Sequence, residues 1–261
     1  MHPWITLWGD ARISTYYACI ALGLMLSTQV LAREADREGL PRATVWDLAL
    51  AVLPGGAIGG RLFLASDDPQ TFLRNPAMFF SSSVGWSSFG AFFGVVVAVV
   101  LLARARGVDP WRAADVFAPA FPFGLAFGRM GCLAAGCCHG RPADWPTGVA
   151  VPWAVRYYGY SPDALWVVPL HPAPVYEAIV SLLVFVVVVG ARARRRVPGE
   201  MFLTLLMAYG FGRFQVEWFR GDLERGFPFD GPLSSAQVTC LVLFVLGAAG
   251  FAWRRRTCSP S

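Results

Sequence analysis

The chain has 261 residues, of which 56% are hydrophobic and 15% are charged, and its formal net charge is +5 at pH 7. Its mean hydropathy is +0.50, and apolar runs of about 20 residues, the length that a bilayer requires, recur along it, which excludes a soluble globular protein. All 22 basic residues are arginine, and they cluster at the ends of the apolar runs. The positive charge therefore does not indicate nucleic-acid binding.

Seven membrane-spanning helices are predicted from apolar run length and flanking charge, at residues 13–32, 44–65, 84–104, 114–134, 171–191, 200–218 and 234–253. Arginine clusters follow the first, third, fifth and seventh of them. The positive-inside rule therefore places the N-terminus outside and the C-terminus in the cytoplasm. We predict an all-α polytopic helical bundle that forms a single domain over residues 1–261, with a small extracytoplasmic cap at about residues 135–170.

The first apolar segment has a competing interpretation as a cleaved signal peptide. The stretch from Ile13 to Ala32 is long for the hydrophobic region of such a peptide, and its strongest positive charge lies after it. We therefore interpret it as an anchor that stays in the protein.

Three arginines, Arg129, Arg213 and Arg61, lie inside predicted membrane helices. Counted from the predicted cytoplasmic end of each helix, at about 1.5 Å per residue, they lie roughly 20 to 25 Å into the membrane. A charge inside a membrane is costly and usually serves a substrate or an ion. The three guanidiniums are therefore predicted to share one level in the outer half of the bilayer.

The sixth predicted helix carries a polar face, because Tyr209, Arg213, Glu217 and Arg220 recur at spacings of four, four and three. One interpretation is an internal ion pair between Arg213 and Glu217 that holds the bundle together. The other is a water-filled cavity that opens to the outer leaflet, where guanidinium forks bind a phosphate. We favour the cavity because one carboxylate does not neutralise three arginines, and a phospholipid headgroup is the natural anion at that depth.

Two further segments flank the predicted outer surface. A glycine-rich stretch runs from Gly128 to Arg141, and its glycines let the backbone approach a ligand closely. The fifth helix begins at His171 with prolines in its first turn, which a helix start tolerates well. We expect His171 to serve as a cap or a hydrogen-bonding strut more than as a catalyst, and Glu177 to pair with an arginine.

Motifs in a fixed order cover nearly the whole chain: Gly59-Gly60-Arg61, Gly85-Trp86-Ser87, Asp115, Ala118-Pro119, Pro122-Phe123-Gly124, Gly128-Arg129 through Gly140-Arg141, His171-Pro172 through Tyr176-Glu177, Tyr209 through Arg213, and Val216 through Arg220. Any one of them is modest evidence. Together they resemble the bacterial prolipoprotein diacylglyceryl transferase family.

The resemblance implies an integral enzyme of the bacterial inner membrane. Such an enzyme transfers the diacylglyceryl group of phosphatidylglycerol to the lipobox cysteine thiol of a prolipoprotein and releases glycerol phosphate. Arg129 would bind the headgroup, Arg213 would stabilise phosphate charge as the C–O bond breaks, and Tyr209 would help to orient it. The predicted catalytic residues are Arg213, Tyr209, His171 and His139, and the predicted substrate-binding residues are Arg129, Arg61, Gly140, Tyr176, Glu177, Glu217 and Arg220.

The chain also departs from the family pattern. Cys132 and Cys137 stand where an asparagine and a glutamate are usual, and Phe89 stands where a histidine is expected. The acid–base apparatus is therefore incomplete. If a base takes the proton from the acceptor thiol, His139 and His171 are the nearby substitutes.

The cysteines leave further interpretations open. Cys132, Cys137, Cys138 and His139 form a compact group of soft ligands on the predicted outer side. We rank buried thiols or a structural disulfide first, a redox or nucleophilic role second, and a metal site last, so no metal is predicted. No cofactor is predicted either, because no phosphate-binding loop or dinucleotide fingerprint is present.

Two alternative functions remain beside the transferase. One is a divergent membrane transferase, or an anionic-lipid-binding protein, with a different acceptor. The other is a membrane thiol redox protein that uses Cys137 and Cys138.

Overall fold

Long helices dominate the structure, and the chain is an all-α polytopic membrane protein. The computed structural model describes residues 4–8, 11–67, 69–80, 87–144, 151–155, 169–221 and 232–258. Its elements are the strands β1 (Trp4–Trp8) and β2 (Ala11–Ser14), the helices α1 (Thr15–Arg37), α2 (Arg42–Asp67), α3 (Pro69–Arg74), α4 (Ser88–Ala105), α5 (Pro110–Ala135), α6 (Ala173–Ala191), α7 (Glu200–Glu217) and α8 (Ser235–Cys258), and two 3-10 turns at Pro76–Phe80 and Arg192–Arg194.

The predicted helices agree with α1, α2 and α4 to α8, and every predicted end lies within five residues of the observed one. Among the described residues, five helices are long and apolar enough to cross a membrane, namely α1, α2, α5, α6 and α8. The apolar part of α4 is shorter, at Gly90–Ala105. The 18 residues of α7 include Glu200, Arg213 and Glu217, so this helix is apolar only in part. The number of spans and the orientation stay predictions.

A short N-terminal hairpin was not predicted. Strands β1 and β2 pair in antiparallel fashion, with Trp4 opposite Ser14. With five and four residues, the strands are too short for a clear period-two pattern beside the strong helical signal of α1.

The chain divides into two compact units. The second unit comprises residues 32–116, and in it α2 packs on α4 along glycines spaced by four residues on each helix. A Cβ atom on Gly59 would overlap the carbonyl oxygen of Gly90, and one on Gly94 would overlap that of Gly55. The two backbones therefore touch, as is common where small residues line a membrane helix pair.

The first unit comprises residues 1–31 and 117–261. Its described core is built from apolar side chains of α5, α6 and α7, namely Ala118, Val184, Val188, Met201 and Leu205. This apolar layer fixes the three helices against one another, so the polar residues further along α5, α6 and α7 are held in place. Single-domain organisation over residues 1–261 stays a prediction.

Candidate functional site

Glu177 is the centre of a group of charged side chains in the first unit. It lies one turn into α6, where Pro172 is the N-cap residue and Pro174 sits in the first turn. Proline there removes no helical hydrogen bond, because the first N–H groups of a helix have no intrahelical partner. The side chain of Glu177 is only 4% exposed, so a charge at this position needs partners.

Three guanidiniums supply those partners. Arg129 Nε from α5 lies 2.6 Å from Glu177 Oε2, and Arg213 Nε from α7 lies 2.7 Å from Glu177 Oε1. Arg220 Nη1 lies 3.3 Å from the same Oε1 atom. The ion pair expected for Glu177 is therefore confirmed, with three arginines in place of one.

The second carboxylate belongs to α7. Glu217 Oε2 lies 2.5 Å from Arg213 Nη1, one helical turn away, and Glu217 Oε1 accepts a hydrogen bond of 2.9 Å from Ser234 Oγ. Ser234 in turn caps α8 in a reciprocal arrangement, because its Oγ accepts the Gln237 N–H and Gln237 Oε1 accepts the Ser234 N–H. We call Arg129, Arg213, Arg220, Glu177 and Glu217 the arginine cluster.

The arginine cluster contains more positively than negatively charged side chains. Three guanidiniums meet two carboxylates, and both carboxylates are buried. Arg213 and Arg220 are 12% and 9% exposed, whereas Arg129 is 22% exposed and is thus the most accessible of the three. The Nε atom of Arg129 is close to Glu177 but makes no well-directed hydrogen bond to it. Arg129 is therefore held to Glu177 by charge more than by hydrogen bonding, and its partial exposure makes it the most accessible of the three to an additional anion.

Tyr209 lies one turn before Arg213 on α7, as its spacing predicts. Its ring packs edge-on against Phe121 of α5, with 5.8 Å between the ring centroids. Tyr209, Arg213 and Glu177 line a crevice too narrow to admit a water molecule, with apolar walls from Leu125, Val180 and Val216. These side chains are therefore packed against one another, and the crevice between them is not a preformed ligand cavity.

Arg220 reaches the cluster from a different element than the sequence predicts. Helix α7 ends at Glu217, so Arg220 does not continue its polar face. Instead it forms an antiparallel β-bridge with Gly140, and its carbonyl oxygen accepts a hydrogen bond of 3.1 Å from Arg141 Nε. The predicted common helical face is therefore wrong for this residue, although its side chain still meets Glu177.

Gly140 is required by close packing at that bridge. Its N–H donates to the His171 carbonyl oxygen at 2.9 Å. A Cβ atom at this position would lie 2.5 Å from that oxygen and 2.6 Å from the Phe219 carbonyl oxygen. Only glycine fits without a backbone shift, so the glycine-rich stretch holds the α5 end against the segment after α7.

His171 is buried beside the same bridge and takes part in a hydrogen-bonded chain. Its Nδ1 atom lies 3.0 Å from the Tyr176 hydroxyl, which also accepts a hydrogen bond of 2.7 Å from Trp153 Nε1. The Phe219 ring packs edge-on against His171 at 5.3 Å. These contacts are those of a strut, and a catalytic role for His171 stays a prediction.

Three cysteine sulfurs converge next to the arginine cluster. The Sγ atoms of Cys132, Cys137 and Cys138 all lie within 4.8 Å of one another, and none of the three residues is in a disulfide. The pKa of the Cys138 thiol is lowered because the Cys132 and Cys137 thiols hydrogen bond to it and because the guanidiniums of Arg220 and Arg129 add positive charge. We call these three side chains the thiol cluster.

His139 follows the thiol cluster directly. Its Nδ1 atom lies 3.3 Å from the Gly140 carbonyl oxygen, and its own carbonyl oxygen accepts the Gly221 N–H at 3.4 Å. The residue is thus anchored at the bridge that carries Arg220. Its role as a base stays a prediction.

Some predicted residues are placed elsewhere or lie outside the described part of the chain. Arg61 is on α2, in the second unit, and its role in substrate binding stays a prediction. Gly85, Trp86, the Phe89 side chain and residues 145–150 and 156–168 of the predicted cap lie outside the described residues.

Sequence reasoning missed Ser234 and Gln237. The pattern Ser-x-x-Gln before an apolar run is a signal for a capping box, and it agrees with the start of α8 that apolar run length placed at residue 234. The contact of Ser234 with Glu217 had no comparable signal, because it joins two helices across a connecting segment.

Comparison with known proteins gives a consistent result. Residues 3–253 match the family described as prolipoprotein diacylglyceryl transferase. A protein of Methylibium petroleiphilum is 33% identical over 93% of this chain and 90% of its own length, and one of Geobacter sulfurreducens is 32% identical over 92% and 90%. A protein of Clostridium tetani is 28% identical over 90% and 91%. Each of the three carries the name phosphatidylglycerol–prolipoprotein diacylglyceryl transferase.

Proposed function

The chain belongs to the prolipoprotein diacylglyceryl transferase family, and on this premise we propose that it transfers the diacylglyceryl group of phosphatidylglycerol to the lipobox cysteine thiol of prolipoproteins. The products are a thioether-linked lipoprotein precursor and glycerol phosphate. The reaction takes place at the bacterial inner membrane, where both substrates are held.

The arginine cluster is the observation that carries this proposal. Phosphatidylglycerol presents one phosphodiester anion between an apolar diacylglyceryl group and a polar glycerol. A buried group of three guanidiniums and two carboxylates has a positive charge to offer such an anion. Planar guanidiniums also match phosphate oxygens in bidentate fashion, which a lysine does not.

Two arginines of the cluster take distinct parts in the reaction. Arg129 is the most exposed of the three and binds the headgroup on entry. Arg213 is clamped between Glu177 and Glu217, so its guanidinium is preorganised. A preorganised cation stabilises the charge that grows on the leaving phosphate oxygen as the C–O bond breaks. Tyr209, one turn before Arg213 on α7, helps to orient the phosphate.

The remaining candidates shape the acceptor side of the site. Gly140 and Arg220 join the segment after α5 to the segment after α7, and Tyr176 holds His171 in place. His139 and His171 are the candidate bases for the acceptor thiol, since Phe89 stands where the family pattern has a histidine.

A mass-shift assay tests the proposal. Purified protein in detergent is incubated with phosphatidylglycerol and a lipobox peptide, and the peptide mass is measured. A diacylglyceryl adduct on the peptide cysteine is expected with the wild-type protein and is expected to be absent with Arg129→Ala. Arg255→Ala is the matched control, because it removes a guanidinium at the far end of α8 and should leave the adduct in place.

Two results would contradict the proposal. If the wild-type protein binds phosphatidylglycerol but forms no adduct, a divergent transferase with another acceptor becomes the better interpretation. If Arg129→Ala forms the adduct at the wild-type rate, the arginine cluster does not bind the headgroup.

A further inference from the structure

The thiol cluster has the geometry of a metal-binding site. Its three sulfurs lie within 4.8 Å of one another. Zinc–thiolate bonds of about 2.3 Å in tetrahedral arrangement place the sulfurs roughly 3.8 Å apart. A contraction of an ångström or less, within reach of side-chain rotation, brings the three thiolates onto one cation.

The backbone at the end of α5 builds this arrangement. Gly136 has a φ of 77°, its N–H donates to the Leu133 carbonyl oxygen, and the Cys137 N–H donates to the Cys132 carbonyl oxygen. This pair of hydrogen bonds is a Schellman motif, which turns the chain back over the last helical turn. Cys137 is thereby brought against Cys132 although the two are five positions apart in the sequence.

Cys138 holds a conformation that non-glycine residues rarely adopt. Its φ is 58°, in the left-handed region, where a side chain is strained by roughly 1 kcal/mol or more. The next residue but one, Gly140, is fixed by the bridge to Arg220. Cys138 therefore keeps its strained backbone because both of its flanks are anchored, and its sulfur is kept with the other two.

The number of ligands distinguishes two kinds of zinc site. Structural sites use four protein ligands, whereas catalytic sites use three and leave the fourth position to water or substrate. Among the described residues, the group contains three potential ligands and no more. Three thiolates with an open position match the second kind.

The thiol cluster lies beside two guanidiniums of the arginine cluster. Cys132 lies one turn after Arg129 on α5, and Cys138 lies two residues before the glycine that pairs with Arg220. Arg129 and Arg220 also interact electrostatically with Cys138. A cation held by three thiolates carries a net charge of −1, which these guanidiniums stabilise.

We propose that Cys132, Cys137 and Cys138 bind a thiophilic divalent cation of the zinc class, and that its open coordination position takes the acceptor cysteine as a thiolate. This inference rests on the proposed function, because it assigns a binding site to the acceptor of that reaction. It also explains how the acceptor thiol loses its proton without a histidine at position 89, since a metal-bound thiol is deprotonated without a protein base.

The reaction step then balances as follows. The acceptor thiol binds the cation and releases its proton to water. A lone pair of the thiolate sulfur forms the new C–S bond to the terminal glyceryl carbon of the diacylglyceryl group. The C–O bond from that carbon to phosphate breaks, and its electron pair stays on the phosphate oxygen of the departing glycerol phosphate, next to Arg213. No electron is gained or lost by the protein.

Metal binding is measured first, independently of activity. Full-length protein in detergent is treated with a chelator and freed of it, and Zn²⁺ and Cd²⁺ are titrated in separate experiments. Bound Zn²⁺ is quantified by elemental analysis, and Cd²⁺ by its sulfur-to-metal charge-transfer absorption. We expect one ion per chain for the wild type and for Cys19→Ala, which removes a cysteine outside the thiol cluster.

The test variant is Cys138→Gly. Glycine accepts the left-handed backbone, so this substitution removes a sulfur and relieves strain, and the variant is expected to fold. Loss of an outer-shell partner already weakens metal affinity by about 10- to 100-fold, so we expect loss of a ligand to weaken it by more than about 100-fold. Absence of metal binding by the wild-type protein overturns the inference. This holds whether alkylation shows three free thiols or a disulfide within the thiol cluster.

Acceptor binding is measured second. A lipobox peptide added to the Cd²⁺-loaded protein should increase the sulfur-to-metal absorption, because its cysteine adds a fourth thiolate ligand. A peptide with serine in place of that cysteine should leave the absorption unchanged. Transfer to the peptide should fall at least about tenfold on metal removal and recover with Zn²⁺. Full transfer by metal-free protein overturns this inference and leaves the proposed function standing. Metal and peptide binding without transfer in any form overturns the proposed function instead.

Discussion

The two ends of α7 use buried carboxylates in different ways. At the N-terminal end, Glu200 is buried and accepts hydrogen bonds from Arg255 Nε at 2.7 Å and from the Arg196 N–H at 3.0 Å. At the C-terminal end, Glu217 and Glu177 share Arg213, and Arg129 and Arg220 join them. Among the described residues, the salt bridge at the first end joins one carboxylate to one guanidinium, with further attraction from Arg196. At the second end, two carboxylates meet three guanidiniums.

This difference separates a structural ion pair from a binding site. Glu200 is satisfied by its partners, and Arg255 is 37% exposed, so solvent already screens that pair. The arginine cluster is more deeply buried and has cationic charge beyond what its own carboxylates balance. A buried excess of charge persists where it serves a ligand. Substitutions at the two ends should therefore have opposite profiles of activity and stability.

Arg213→Ala should have the largest effect on transfer. It removes the guanidinium held by both Glu177 and Glu217, which the proposal places on the leaving phosphate. Loss of one preorganised group that stabilises developing charge reduces kcat by about 100- to 1,000-fold. Initial rates at saturating phosphatidylglycerol measure it, with Arg255→Ala as the control. Equal losses in the two variants would remove the distinction between the ends of α7.

Arg129→Lys should have the next largest effect, and mainly on substrate affinity. Lysine keeps the charge but lacks the planar fork that binds two phosphate oxygens. We expect KM for phosphatidylglycerol to rise by roughly tenfold while kcat changes less, since uniform binding is lost. Rates over a range of lipid concentrations in mixed micelles separate the two constants. A fall in kcat alone would assign Arg129 to the chemical step in place of headgroup binding.

Gly140→Ala should disturb the arginine cluster indirectly. The added Cβ atom would lie 2.5 Å from the His171 carbonyl oxygen, so the bridge to Arg220 must shift. Because displacements of about 1 Å near a reacting centre cost up to about 100-fold, we expect at least a several-fold loss of transfer. Gly190→Ala is the matched control, since a Cβ there meets nothing within 4 Å. A wild-type rate for Gly140→Ala would show that Arg220 keeps its place without the bridge.

The long helices that carry both carboxylate groups could be predicted from the sequence, and so could part of the arginine cluster. Apolar run length located the long helices, and the four-residue spacing of Tyr209, Arg213 and Glu217 placed them on one face. Glu177 was expected to pair with an arginine because a lone buried carboxylate is costly. The convergence of three arginines on it depends on how α5, α6 and α7 pack, and no local pattern encodes that.

The turn after α5 could not be predicted for a related reason. The left-handed backbone of Cys138 is decided by its anchored neighbours and not by its own propensity, since cysteine rarely adopts it. Spacing alone therefore left a disulfide, free thiols and a metal site as alternatives. The predicted position of Arg220 is wrong because the helical spacing of Tyr209, Arg213 and Glu217 was extended past Glu217, where α7 ends.

Glu200→Gln should have the smallest effect on transfer and should act on stability alone. The amide keeps the shape of the side chain but loses the charge that attracts Arg255. Arg255 is partly exposed and gains water in exchange, so we expect a lower Tm and a rate within about twofold of wild type. Thermal unfolding in detergent and the mass-shift assay, run on the same preparation, measure both quantities. The contrast with Arg129→Lys is then direct, because that variant should lose affinity for phosphatidylglycerol with little change in Tm. If Glu200→Gln instead loses transfer at unchanged Tm, the N-terminal end of α7 also takes part in the reaction. In that case, a balance of opposite charges does not by itself identify a structural ion pair in this membrane protein.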